Sequence, residues 1–154
     1  MRVRVMNTLL EEHVPMLSVE SSTNCPSVSN LNSPENVYNL MTEVFNLDIR
    51  TEEYVYLLAL NTKNNLIGVF EMSHGLVDVS LLRPREIYMK SLLCGACAII
   101  IVHNHPSGNS DPSTEDMESC KRIKEVGDLI GIRLLDSLVI GQGNYTSLKE
   151  KNLC

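Results

Sequence analysis

Apolar and polar positions change period along the chain in a way that separates helices from strands. Val37, Leu40, Met41, Val44 and Phe45 recur at three-to-four spacing and predict a helix to about Leu47. Ser33-Pro34-Glu35 marks its start: an N-cap, a proline at the first helical position and an acid in the first turn. The runs "YVYLLAL" (54–60) and "LIGVFEM" (66–72) read as two strands of a hairpin around the turn "NTKNN". Gly75 and "LVDVS" (76–80) add a short segment. Pro84 opens a second helix through about Leu93, with Ile87 and Leu92 on its apolar side. "CAIIIV" (97–102) is continuously apolar, as a central strand covered on both faces must be. Ser113 caps a third helix that runs from Thr114 to about Ile130, and Gly131 ends it. Met117, Cys120, Ile123, Val126 and Ile130 form its inner stripe. "RLLDSLVI" (133–140) is a strand, "GQGN" (141–144) a turn and "YTSL" (145–148) the closing strand.

Residues 1–32 read as an N-terminal arm, with one strand in "VPMLSVE" (14–20) and a Ser/Asn-rich, turn-prone loop after it. Residues 33–154 then form one domain. Strands alternating with helices predict an α/β fold, a mixed central sheet with helices on both faces.

Composition narrows the function more than the fold. A chain of 154 residues with 44% hydrophobic and 21% charged positions suits one soluble domain able to bury a real core. Aromatics are only 5% with no Trp, so the core must rest on Leu, Ile, Val and Met. A net charge of −6 is a poor footprint for a protein held on phosphate backbone. No apolar stretch approaches membrane-spanning length and the N-terminus does not read as a signal peptide, so a cytoplasmic protein without membrane association is expected. The five cysteines, Cys25, Cys94, Cys97, Cys120 and Cys154, are an odd number and are expected to be reduced.

The candidate chemistry lies in "IIIVHNHPSGNSDPSTED" (99–116). Alternate side chains of an extended segment share a face, so His103 and His105 point the same way from Cα atoms about 6–7 Å apart. Two imidazoles so placed can converge on one cation. They leave the carboxyl end of a buried strand, where open α/β sheets place their ligand sites. Pro106, Gly108 and Pro112 shape a returning loop, which is long enough to bring Asp116 back as a third ligand. Three protein ligands leave a fourth position open, the arrangement of a catalytic zinc rather than a structural one.

"HNHPSGNSDPSTED" resembles the His-x-His-Pro…Ser-x-x-Asp signature of the JAMM (JAB/MPN) metalloproteases, and its "HNHPSG" form resembles the RadC-like branch. The similarity extends through "LLALNTKNNLIG" and "GIRLLDSLVIGQGNYTSLKEK", covering roughly residues 33–152. The resemblance implies the JAB/MPN, cytidine-deaminase-like architecture and Zn2+ held by His103, His105 and Asp116. It also implies a hydrolase that cleaves a peptide or isopeptide bond of a peptide or protein substrate. Ser113 would steady the oxyanion, and a glutamate upstream of the histidines would be the general base. Glu53 matches that position best; Glu86 is the other candidate, and a one-residue slip would promote Glu52. The chain departs from the RadC-like pattern at Gly75-Leu76, Arg83-Pro84 and Asp136-Ser137, where the family carries Gly-Thr, His-Pro and Asp-His. None of these removes a ligand or the base.

Each residue also has a plainer reading. A lone His-x-His is a polar loop entrance, Ser113 is a good N-cap with or without chemistry, and Asp116 is an acid favoured by the helix dipole. Glu53 could be a solvated charge at a strand edge. Cys94 and Cys97 form a CxxC, but at a helix end running into a buried strand they read as packing. His13 and His74 have no evident partner and read as surface residues. The alternative function is a non-catalytic or accessory protein of DNA repair or mobile-element DNA metabolism; a further one keeps the metal for stability alone. Direct DNA association is not supported by the charge. A zinc nucleoside deaminase would need His-x-Glu with a downstream Pro-Cys-x-x-Cys, which is absent.

Overall fold

The computed structural model describes residues 1–75 and 82–154. Its strands are β1 (Arg2–Glu11), β2 (Val14–Asn24), β3 (Glu53–Leu60), β4 (Leu66–Gly75), β5 (Ala98–Asn104), β6 (Arg133–Gly141) and β7 (Asn144–Ser147). Helices α1 (Pro34–Phe45), α2 (Pro84–Leu93) and α3 (Thr114–Ile130) lie between them. One seven-stranded sheet has the order β2-β1-β4-β3-β5-β6-β7. The β1–β4 and β5–β6 pairs are parallel and the others antiparallel, so the expected mixed α/β sheet is what forms.

The period-two geometry of β3 and β5 divides the core between the two faces. Tyr56, Leu58, Leu60, Ile100 and Val102 pack with Val37, Leu40 and Met41 of α1. Val55, Leu57, Ala59, Ile99 and Ile101 pack with Ile87 and Tyr88 of α2 and Ile123 of α3. A strand sandwiched this way must be apolar at every position, which is why 98–102 shows no alternation. Local signals set the helix ends. The Ser33 side chain accepts from the Asn36 amide at 3.2 Å, and Asn46 closes α1 in the left-handed region (φ 51°) before a 3-10 turn at Leu47–Ile49. In α3, Gly127 gives close approach: a Cβ there would lie 2.4 Å from both the Ile132 carbonyl oxygen and Tyr88 Oη. The Tyr88 hydroxyl donates to the Ile123 carbonyl at 2.6 Å across this contact.

Several expectations need correcting. The arm holds two strands rather than one, because Arg2–Glu11 pairs antiparallel with Val14–Asn24 and, through Val5 and Met6, parallel with β4. The two-residue turn is Glu12-His13, with φ of 48° and 68°. Both residues take the positive φ that a tight hairpin turn requires without the usual Asn-Gly signal, so nothing local announced it. Leu92 and Ile130 are exposed, not on the inner stripes; Ser119 and Gly127 lie inside instead. Cys120 and Cys154 form a disulfide, leaving Cys25, Cys94 and Cys97 as thiols. Counting cysteines could not reveal this, since a turn after β7 folds the tail back over α3, with Leu153 N–H bonded to the Leu148 carbonyl at 2.8 Å. His74, although exposed, has partners: its Nδ1 lies 2.6 Å from Glu71 and its ring stacks on Tyr54. The short segment expected at 76–80 lies outside the described residues. Among those described, no helix is long and apolar enough to cross a membrane.

Candidate metal centre

Strand β5 carries His103 inside its last turn of pairing, opposite Val55 of β3, and His105 follows one residue beyond the strand. Alternation puts both rings on the α2/α3 side of the sheet, and their Nε2 atoms lie 3.3 Å apart. The loop after them returns the chain to the N-terminus of α3. Gly108 (φ 82°) lets its carbonyl accept from the Gln142 amide at 3.0 Å and from Asn144 Nδ2 at 3.2 Å, which pins the loop on the β6–β7 turn. Gly141 is required there, because a Cβ would sit 2.3 Å from the Gly108 oxygen.

The return delivers Asp116 to the two rings. Its Oδ1 is 3.1 Å from His103 Nε2 and its Oδ2 is 3.3 Å from His105 Nε2. Asp116 is held by a reciprocal capping box: Ser113 N–H donates to its Oδ2 at 2.7 Å, and its own N–H donates to Ser113 Oγ at 3.1 Å. Burial alone would push the Asp116 pKa up. Hydrogen bonds from His103 and His105, with the His103 charge and the Ser113 amide, outweigh it and hold the carboxyl far below the usual range. The hydrogen bond to Asp116 pushes the His105 pKa up, against the opposing pull of burial. His105 Nδ1 lies 3.0 Å from the Asn109 carbonyl oxygen, which can only accept, so Nδ1 donates to it and Nε2 is the nitrogen that either donates a proton to Asp116 or, deprotonated, offers its lone pair to a cation. His103 is 1% exposed, and its Nδ1 has no hydrogen-bond partner among the described residues.

Glu53 begins β3, and a carboxylate oxygen of it lies within 4.8 Å of ligand atoms on His103 and His105. Glu86 is elsewhere, in the first turn of α2 with Arg85 at 2.9 Å. Glu52 is exposed, and its backbone carbonyl accepts from Asn104 Nδ2 at 3.0 Å. Asn104 is the contributor that reading the histidines alone missed. It points to the opposite face from them, is 1% exposed, and its Oδ1 accepts from the Tyr54 N–H at 2.8 Å. A carboxamide between two candidate ligands was the available clue, but its partner strand lies about fifty residues away in the chain.

The donor set suits a divalent cation. Ligands of a tetrahedral ion at about 2.0–2.1 Å stand roughly 3.3–3.4 Å from one another. The His103 and His105 Nε2 atoms stand 3.3 Å apart, and each has its own Asp116 carboxylate oxygen beside it, Oδ1 at 3.1 Å from His103 and Oδ2 at 3.3 Å from His105, spacings close to the edge of that tetrahedron. Two neutral imidazole nitrogens with one carboxylate suit zinc and other first-row divalent metals. Glu53, His103 and His105 are likewise near enough to share an ion.

Residues 31–153 match the family model described as the RadC-like JAB domain. The chain is 43% identical over 123 residues to a UPF0758 protein of Clostridium acetobutylicum, covering 80% of this chain and 53% of that one. It is 48% identical over 102 residues to one from Clostridium tetani, covering 66% and 45%. With one from Geobacter sulfurreducens it shares 40% over 121 residues, covering 79% and 52%. The chain thus spans about half the length of the curated relatives it matches. With its mixed sheet and its His-x-His strand end facing an aspartate on the following helix, this chain belongs to the RadC-like JAB domain family.

Proposed function

We propose that the chain is a zinc-dependent hydrolase of the JAMM type, cleaving a peptide or isopeptide bond in a peptide or protein substrate. The observation that carries this reading is the pair of imidazole Nε2 atoms 3.3 Å apart, each within 3.1–3.3 Å of an Asp116 carboxylate oxygen, with a second carboxylate, Glu53, beside them. In it His103, His105 and Asp116 hold Zn2+, which supplies Lewis acidity that polarises the amide carbonyl and eases deprotonation of water near neutral pH. Glu53 takes the proton of the attacking water and passes it to the leaving nitrogen, so that one carboxylate serves first as base and then as acid. Its place at the half-exposed start of β3 suits a group that must meet substrate, whereas Asp116, almost wholly buried and tied into its capping box, suits a ligand. Ser113 can serve in both of its readings. Capping uses an acceptor lone pair of Oγ, and the hydroxyl hydrogen is a separate donor for a developing oxyanion.

Metal content measured by mass spectrometry on the wild type, His103→Ala, Asp116→Ala and Glu53→Gln tests the reading. The expected result is near one zinc per chain in the wild type and in Glu53→Gln, with loss in the other two. A panel of peptides and lysine isopeptides then follows, with Glu53→Gln as the inactive control. Loss of zinc in Glu53→Gln would make Glu53 a ligand instead of the base. Absence of zinc even after reconstitution would overturn the hydrolase and favour a non-catalytic accessory role.

A further inference from the structure

The β3–β5 backbone pairing reaches Val55 and His103. One residue further along, Tyr54 stands opposite Asn104, and the Asn104 side chain supplies the bonds there: Tyr54 N–H to Oδ1 at 2.8 Å, and Nδ2–H to the Glu52 carbonyl at 3.0 Å. The carboxamide thus behaves as a strand peptide, offering one acceptor and one donor to the backbone on either side of Glu53. On its other edge β3 is paired by backbone, Glu53 opposite Gly75. We propose that Asn104 is a positioning residue for Glu53, locking the backbone of residues 52–54 so that the Glu53 carboxylate is carried against the two imidazoles. This rests on the role given to Glu53 above.

The placement explains why an amide stands between the histidines. Residues 103 and 105 face the centre, so residue 104 must face away, and the tripeptide that aims both imidazoles also holds the strand that aims the carboxylate. Few side chains can do this. An ionised aspartate accepts but cannot donate to the Glu52 carbonyl, leucine does neither, and serine is too short to span both groups. Asn104 is 1% exposed and its two bonds are partly buried, so an amide or carbonyl left unpaired there loses a partner that water replaces only in part. A small rotation of the 52–54 backbone would swing the long glutamate side chain away from its working position, and catalytic geometry tolerates little of that.

The test uses the full chain, loaded with cobalt(II) chloride as a spectroscopic probe, in the wild type, Asn104→Leu, Asn104→Ser, Glu53→Gln and the Glu53→Gln/Asn104→Ser double variant. Asn104→Ser guards against misfolding of the leucine variant. Amide hydrogen exchange of Tyr54 should be roughly tenfold faster in both Asn104 variants, as for the loss of one partly buried hydrogen bond. The cobalt d–d bands should move in the same direction as in Glu53→Gln, and the double variant should match Glu53→Gln alone. Wild-type protection of Tyr54 in the Asn104 variants would overturn the proposal. So would a cobalt spectrum that responds to Glu53→Gln and not to Asn104 substitution. A spectrum that ignores Glu53→Gln itself would sink the role of Glu53 under the proposed function, while Tyr54 exchange would still decide whether the clamp exists.

Discussion

Cutting the Cys120–Cys154 disulfide should lower stability by an amount that its loop length sets. The two residues are 34 apart in sequence. Loop-closure entropy for a crosslink of that span corresponds to about 3.8 kcal/mol at 25 °C on the chain-entropy account. A domain of this length has an unfolding entropy of roughly 0.3 kcal/mol/K, so Cys154→Ser or full reduction should lower Tm by about 10 °C. The disulfide ties the C-terminal turn to α3 one helical turn after Asp116, so its loss frees the tail first and leaves the capping box in place. The assay is a pair of thermal melts, with and without a phosphine reductant, on wild type and Cys154→Ser, plus a thiol titration in denaturant. Three titratable thiols, from Cys25, Cys94 and Cys97, are expected before reduction and five after. Five thiols before reduction, or a Tm that moves by less than about 2 °C, would refute the reasoning.

Other consequences are separable. Ser113→Ala removes a helix cap and should cost about 1 kcal/mol, a few degrees in Tm, while Ser113→Thr keeps the cap; an unchanged melt in Ser113→Ala would deny the capping box its weight. The His105 pKa is raised in the fold, chiefly by its hydrogen bond to Asp116. The stability it contributes is therefore complete below the unfolded value of about 6.5 and is lost as pH rises through the folded value. Metal-free protein should melt higher near pH 6 than near pH 8, and zinc-saturated protein should show the reverse order, because protons compete for the same nitrogen; calorimetry in two buffers should detect proton release on zinc binding. Gly127→Ala would drive a methyl into the Ile132 carbonyl and the Tyr88 hydroxyl and should destabilise the fold by about 1–3 kcal/mol; a melt within a degree of wild type would contradict that packing.

By itself the sequence determined whatever local interactions encode. The caps at Ser33 and Ser113, the left-handed glycine at Gly131 and the 3.6-residue stripes mark α1 and α3 within a residue or two, since their partners lie within one helical turn. The unbroken apolar run before His103 marks a strand buried on both faces, and strand alternation places both imidazoles on one side of it. The motif resemblance adds the family, which the match over residues 31–153 supports.

Tertiary structure decided what depends on distant partners. The strand order and the β1–β2 hairpin were not legible, because the Glu12-His13 turn takes positive φ without a glycine or asparagine to announce it. The Cys120–Cys154 bond depends on where the turn after β7 lays the tail. Glu53, Glu52 and Glu86 were equally charged on paper. Only the β3–β5 register brings Glu53 to the histidines while Asn104 grips the backbone beside it. Such pairings form between segments some fifty residues apart, and their energy comes from burial and from hydrogen bonds that exist only once the sheet has closed.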